Sequence, residues 1–267
     1  MTKFNSRALR RSVLQMAYAG STVHIACAFS IVEILAVLYR HHLDYPDNDP
    51  TSAQRDHLVL SKGHGVMAQY ACMHEKGWLS TEELGNYFAD GTRLKGLSDA
   101  HVPGCEVSSG SLGHGLSVGV GLALATKLKG SSQYCYVVVG DGEMNEGTMW
   151  EAMLFATHHR LDQLVVIVDE NGFQAMGSTD EVMTPGSFQQ KFTAFGFDTV
   201  SIDGHDETAL EDTLNTLKQR KNGMPKAIIA KTVKGKGVSF MEHDNSWHYT
   251  RLNSTTFTQA MAELEQP

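Results

Sequence analysis

Asp141 and Asn171 lie 30 residues apart, each closing an all-apolar run, Tyr134 to Val139 and Leu164 to Val168. A helical stretch from about Thr148 to His159 separates the runs, so the pair spans one βαβ crossover and falls at the same edge of a parallel sheet. A carboxylate and an amide oxygen are hard donors, suited to Mg²⁺ or Ca²⁺ and unsuited to zinc. Mg²⁺ takes few protein ligands and fills its octahedron with water and phosphate oxygens. Gly140 and Gly142 flank Asp141 and let backbone approach a diphosphate closely. Asp-Gly and Asn-Gly are also common turn dipeptides. Spacing alone therefore leaves a metal pair and two ordinary turns both open.

The histidines divide in the same way. His64 stands between two glycines in Ser61-Lys62-Gly63-His64-Gly65 and reads as a turn residue or a functional one. His24 lies in the apolar Val23 to Cys27, where a satisfied core histidine is the plainer reading. His41, His42, His74, His158 and His159 fall on predicted helix surfaces or ends and are expected to be solvated. Lys234 and Lys236, set between glycines, are either a solvated loop or an attraction for a phosphate group.

The elements that must position these groups are legible. Phe4 to Ala19 predicts an amphipathic helix. Ser30-Ile31-Val32-Glu33 and Ser80-Thr81-Glu82-Glu83 have capping-box spacing. His57 to Leu60 predicts a short strand, and the glycine-rich Gly91 to Gly121 runs into a small-residue helix from about Ser111 to Leu128. Phe197 to Ile202, a helix near Glu207 to Arg220, and Lys226 to Ala230 continue the alternation of apolar strands and helices. That alternation predicts an α/β fold, a mostly parallel sheet with helices on both faces. No repeat or Gly/Ser linker interrupts it, so residues 1–267 are expected to form a single domain.

Composition narrows the function. The chain is 42% hydrophobic and 19% charged, with a net charge of −8. That balance argues against a general nucleic-acid or anionic-membrane binder. Cys27, Cys72, Cys105 and Cys135 form no C-x-x-C pair, so no zinc ribbon or thioredoxin-type motif is available, and sparse thiols of this kind point to the cytoplasm. Behind Lys3, Arg7, Arg10 and Arg11 there is no apolar run of signal-peptide length. None of the apolar stretches approaches the ~20 residues of a spanning helix.

Four blocks, in order, carry a resemblance: Asp56 to Gly65 (DHLVLSKGHG), Val107 to Gly115 (VSSGSLGHG), Gly140 to Gly147 (GDGEMNEG) and Lys231 to Phe240 (KTVKGKGVSF). Together they resemble the N-terminal, diphosphate-binding part of transketolase, at the length of the N-terminal subunit of a split enzyme. The resemblance implies the thiamine-diphosphate-binding fold and transfer of a two-carbon ketol unit from a ketose phosphate to an aldose phosphate. It implies that Asp141, Asn171 and the Phe173 carbonyl hold Mg²⁺, with Ca²⁺ or Mn²⁺ able to substitute, and that Gly142 meets the diphosphate. His64 and His248 then flank the diphosphate and the sugar entrance, His24 faces substrate oxygens, and Gly110, Ser111 and Leu112 line the cofactor rings. Glu146 and Glu151 correspond to acids that connect paired sites. The glutamate that activates the cofactor belongs to the next domain, so a C-terminal, pyrimidine-binding partner subunit in an α2β2 heterotetramer is implied.

The chain also departs from the family pattern. Val23-His24-Ile25-Ala26 replaces Gly-His-Pro-Gly, and His114 stands where glutamine is usual. Leu97 replaces a histidine that contacts the donor near its first carbon, with His101 four residues on. The departures imply a branched, deoxy or otherwise modified sugar. Two alternatives remain: the α-type half of a 2-oxoacid enzyme, which leaves Ser61 to Gly65 and Lys231 to Phe240 unexplained, and a non-catalytic cofactor-binding relic.

Overall fold

The computed structural model describes residues 3–265. The chain opens with three helices, α1 (Ser6–Ala19), α2 (Ile25–Phe29) and α3 (Val32–Val37). There follow β1 (His57–Leu60), α4 (Val66–Glu75), α5 (Thr81–Gly85), α6 (His114–Leu128) and β2 (Cys135–Gly140). Then come α7 (Gly147–His158), β3 (Leu164–Glu170), α8 (Thr179–Met183), α9 (Phe188–Ala194), β4 (Asp198–Asp203), α10 (Glu207–Gln219), β5 (Lys226–Lys231) and α11 (Ser254–Glu263). The five strands form one sheet in the order β1-β2-β3-β5-β4, and every pairing is parallel.

The sheet is buried on both sides, which is why β2 and β3 are continuous Val/Ile runs with no polar alternation. Leu58, Leu60, Tyr136, Val138 and Ile167 face a core shared with α1 to α4 and α10. Val59, Val137, Val139, Val166 and Val168 face the other, shared with α6, α7 and α9. α6 is rich in small residues because it lies directly on β2. A Cβ at Gly119 would stand 2.3 Å from Val137 Cγ2.

The predicted α/β layering and all five strands are present, with ends shifted by a residue or two. The glycine-rich segment begins its helix at His114 and not at Ser111. The capping box at Ser80 forms, with its hydroxyl accepting from the Glu83 backbone N–H at 3.1 Å. The one expected at Ser30 does not. The Ser30 hydroxyl is fully buried and donates to Asp169 Oδ2 at 2.7 Å and lies 3.1 Å from the Cys27 carbonyl. A buried carboxylate is a stronger acceptor than solvent, and satisfying it outweighs a local cap. His42 is a second correction. It is buried just beyond α3 and its Nε2 has no partner among the described residues. Burial, helped by the Lys218 charge, pushes its pKa down to about 4. His41 and His158 are exposed as expected, whereas His74 and His159 are only half-exposed.

Glu33, the other half of the failed box, anchors the helical layer. Arg10 grips it through two hydrogen bonds of 2.6 and 2.8 Å, and His205 Nδ1 lies 2.9 Å away. The Val233 backbone N–H donates to His205 Nε2 at 2.8 Å, so Nδ1 carries the proton and donates to Glu33. Burial alone would raise the Glu33 pKa, but the His205 hydrogen bond and the Arg10 charge outweigh it and hold the group at about 2. A carboxylate depressed in the folded state stabilises above its unfolded value near 4.5 and loses that contribution as pH falls towards 2. We expect native stability to drop by about 3 kcal/mol more across this window than that of Glu33→Gln. Urea titrations at stepped pH check it, and parallel slopes for the two proteins would contradict the assignment.

Candidate functional site

The C-terminal ends of β1, β2, β3 and β5 deliver Lys62, Asp141, Asn171 and Lys234 to one cavity of about 540 Å³. Ligands bind at this edge of parallel sheets because the loops there are free of the packing that fixes the strands. α2, placed by its packing on α1, supplies His24 and Cys27 to the same cavity, and the segment before α11 supplies His248 and Tyr249.

Asp141 is buried, and its two oxygens accept only backbone N–H groups, from Gly142 at 2.7 Å and Gly172 at 2.6 Å. No Lys, Arg or His side chain pairs with it among the described residues. Burial first, and the Asp169 charge second, raise its pKa to about 7. A buried carboxylate short of positive charge is what a divalent cation repairs. The Asn171 carboxamide is oriented by its neighbours: its Nδ2 donates to Asp169 Oδ2 at 2.8 Å, and its Oδ1 accepts from the Phe173 N–H at 3.1 Å. Phe173 lines the cavity and its carbonyl oxygen accepts no hydrogen bond among the described residues. These three oxygens form a hard donor set with a single charge, which fits Mg²⁺ completed by phosphate and water and fits no all-protein cage. Consistently, no cluster of three His, Cys, Asp or Glu groups able to hold a metal occurs among the described residues. Gly142 is covered by Gln174, whose Cγ would stand 2.9 Å from a Cβ there, and Gln174 Nε2 is a buried donor without a partner at this wall.

In the same cavity, three imidazoles form a triangle. Ring centroids are 5.4 Å apart for His24–His64, 5.1 Å for His24–His248 and 5.7 Å for His64–His248. His24 holds a left-handed φ of 69° and donates its backbone N–H to the His248 carbonyl at 3.1 Å. That conformation is costly for a non-glycine residue and persists only where the surroundings enforce it. Lys234 Nζ lies 3.0 Å from His248 Nδ1, so Nδ1 accepts and the proton sits on Nε2. Burial lowers the pKa of all three, helped by Lys62 at His64 and by Lys234 at His24 and at His248; for His248 alone it falls to about 3. Near neutral pH the triangle is therefore uncharged and the lysines carry the positive charge. Lys234 is buried, bonded to Asn245 Oδ1 at 2.6 Å, and pairs with no carboxylate among the described residues. It is a cation held ready for an anionic ligand, and the solvated-loop reading fails for it.

Of the residues singled out from the sequence, His24, His64, His248, Gly110, Leu112, Asp141, Gly142, Asn171, Phe173, Glu146 and Leu97 all line this cavity. Ser111 is exposed and lies outside its lining, as do Glu151 and His114. His101 is exposed and bound to Asp99 at 2.7 Å, so it does not return an imidazole to the place left by Leu97.

Sequence reasoning missed the groups beneath the cavity. Lys62 and Asp169 form a fully buried ion pair, and Asp169 also accepts from Ser30, Thr232 and Asn171. Glu143 is buried too, and accepts from the Ser61 hydroxyl, the Gly113 N–H at 2.8 Å and the Gly140 N–H at 3.2 Å, tying three loops together. The one available signal was a Lys and an Asp placed at apolar strand ends, where a lone charge has to find a partner.

Known proteins carry the same fold and sequence pattern. The family described as transketolase, thiamine diphosphate binding domain, matches residues 5–264. A subunit of the apulose-4-phosphate transketolase of Phocaeicola vulgatus is 36% identical over 96% of this chain and 91% of its own length. The 6-deoxy-6-sulfo-D-fructose transketolase subunit of a Clostridium strain is 38% identical over 91% of this chain and 88% of its own. The crystal structure of transketolase from Campylobacter jejuni superposes with a TM-score of 0.90 at 29% identity, covering 97% of this chain but 42% of that one. The fold and site define a thiamine-diphosphate-binding α/β protein. The chain belongs to the transketolase family, as its N-terminal thiamine diphosphate binding part, and the expectation of a transketolase-type transferase component is borne out. No helix among the described residues is long and apolar enough to cross a membrane.

The buried pair yields a stability prediction. Asp169→Asn leaves Lys62 charged and unpaired, which should cost about 3–5 kcal/mol, whereas the Lys62→Met/Asp169→Asn double variant, which removes both charges and keeps an acceptor for Ser30, Thr232 and Asn171, recovers most of it. Denaturant unfolding of the three proteins checks this. Equal losses for the single and double variants would show that the pair is not the relevant contact.

Proposed function

We propose that this chain is the N-terminal, diphosphate-binding subunit of a transketolase that moves a two-carbon ketol unit between sugar phosphates, with thiamine diphosphate and Mg²⁺ as cofactors. The observation that carries the proposal is one cavity lined together by Asp141, Asn171 and Phe173, by His24, His64 and His248, and by Lys62 and Lys234. Residues 1–267 act as a single diphosphate-binding domain in this reading. Relatives of similar length that are named as one subunit of a transketolase support a separate partner chain. We take that partner to be a C-terminal, pyrimidine-binding subunit in an α2β2 heterotetramer, working in the cytoplasm. The 2-oxoacid alternative is less apt, because Lys62, His64 and Lys234 come from the two sequence blocks it leaves unexplained.

Each residue then has a physical task. Asp141, Asn171 and the Phe173 carbonyl hold the cation against the diphosphate, and the Gly142 backbone approaches it. Lys234 supplies charge, while Nε2–H of His248 and the His64 ring donate to diphosphate oxygens. Gly110 and Leu112 border the cofactor rings. When bound, thiamine diphosphate supplies the electron sink for carbon–carbon cleavage. Neutral His24 can donate to, or take a proton from, a substrate oxygen at near-neutral pH. In this reading Glu146 and Glu151 connect the paired sites of the assembly. Leu97 at the wall offers no hydrogen bond where a histidine would, which favours a modified sugar. Relatives named for apulose 4-phosphate and 6-deoxy-6-sulfo-D-fructose support that class.

Two outcomes are expected. Asp141→Ala should fold normally yet lose Mg²⁺-dependent thiamine diphosphate binding by at least a hundredfold, read by calorimetry; unchanged affinity would sink the metal assignment. The purified chain alone should turn over no ketose phosphate, and its partner should restore turnover, whereas robust activity of the pure lone chain contradicts the two-subunit reading.

A further inference from the structure

Gln174 follows Phe173 in the lining of the cavity, and its carboxamide breaks a rule that the rest of the site obeys. Its Nε2 is buried and has no hydrogen-bond partner among the described residues. A buried donor left unpaired is destabilising, so folded proteins keep few of them. The side chain is nevertheless held in place. A Cβ at Gly142 would stand 2.9 Å from Gln174 Cγ, 3.3 Å from its Cβ and 3.4 Å from its Cδ. Only glycine fits under it, and the contact sets the carboxamide beside the turn that carries Asp141.

The backbone behind it is fixed as well. The Gln174 N–H donates to the Gly177 carbonyl at 2.8 Å, and Phe173 pairs with Ser178 in an antiparallel bridge, which closes residues 173–178 into a hairpin. Asn245 pins that hairpin from the far side of the chain. Its Oδ1 accepts from Lys234 Nζ at 2.6 Å, which leaves Nδ2 to donate to the Ala175 carbonyl at 3.3 Å. Lys234 Nζ also lies 5.6 Å from the centroid of the Phe173 ring. An orphan donor and a buried cation without a carboxylate partner among the described residues thus stand on one hairpin. Together they suit a ligand that brings several anionic acceptor oxygens, as phosphate groups do.

Resting on the transketolase reading for the identity of the ligand, we propose that Gln174 is a cofactor-binding residue whose Nε2–H donates to a diphosphate oxygen of thiamine diphosphate. The carboxamide gives up stability in the folded chain and recovers it when the ligand accepts from it. Fold and function therefore pull in opposite directions at this one side chain, which is the signature of a group kept for binding. A residue kept for packing alone shows the reverse, since removing its polar end weakens the fold.

Gln174→Met tests this, because it keeps a side chain of similar length over Gly142 and removes the donor. Thiamine diphosphate affinity at saturating Mg²⁺, read by calorimetry on the enzyme assembled with its partner, should fall about tenfold or more. The urea midpoint of the full chain without cofactor should stay at or above the native one. Gln174→Glu, which sets an acceptor of the wrong charge in the same place, should lose at least as much affinity. Native affinity in either variant overturns the proposal. So does a urea midpoint below the native one in Gln174→Met, which would make the carboxamide a part of the fold. If the native enzyme itself binds no thiamine diphosphate, the transketolase reading fails, and this proposal fails with it.

Discussion

Asp169 is the carboxylate on which the site depends. It ends β3 fully buried, and its oxygens accept from Lys62 after β1, Ser30 after α2, Thr232 after β5 and the Asn171 carboxamide. Three segments distant in sequence are thus referred to one point near the end of β3. An isolated ion there would cost several kcal/mol; paired and hydrogen-bonded it becomes tolerable, and it dictates which groups must lie nearby. Its charge raises Asp141, its hydrogen bond turns the Asn171 amide, and its partner Lys62 helps to keep His64 neutral. The Asp141–Asn171 wall, the lysine and the imidazole triangle are arranged around it.

This arrangement explains how an acidic protein can hold an anionic cofactor. A net charge of −8 says nothing of the cavity, where the histidines are neutral and buried Lys234 has no carboxylate partner among the described residues. The local field, and not the overall balance, sets what binds. Glu143 and the Arg10–Glu33–His205 triad do for the loops and the helical layer what Asp169 does for the strand ends: a buried acid gathers donors from several segments.

Much of this was legible in the chain, and what was not has a physical cause. Apolar runs bounded by Asp-Gly and Asn-Gly marked β2 and β3 almost to the residue, because buried parallel strands need continuous Val and Ile. Glycine-flanked His64 and the Asp141–Asn171 spacing pointed to the cavity. The same local rules failed at Ser30 and Glu33, whose capping-box spacing is real but whose side chains serve partners 139 and 23 residues away. His42 misled for the converse reason: its position after a helix reads as solvated, yet tertiary packing covers it. Long-range polar pairing leaves no periodicity, so Lys62, Asp169 and Glu143 were invisible until the strands stood side by side.

The central claim is that Asp141, Asn171 and Phe173 hold a divalent cation against the diphosphate of bound thiamine diphosphate. Mn²⁺ in place of Mg²⁺ makes that contact directly observable. Pulsed electron–nuclear double resonance of the chain with Mn²⁺ and thiamine diphosphate should show strong ³¹P couplings from phosphate oxygens on the metal, and Asp141→Ala should abolish them. Mn²⁺ bound without ³¹P coupling, or couplings that survive Asp141→Ala unchanged, would contradict the account.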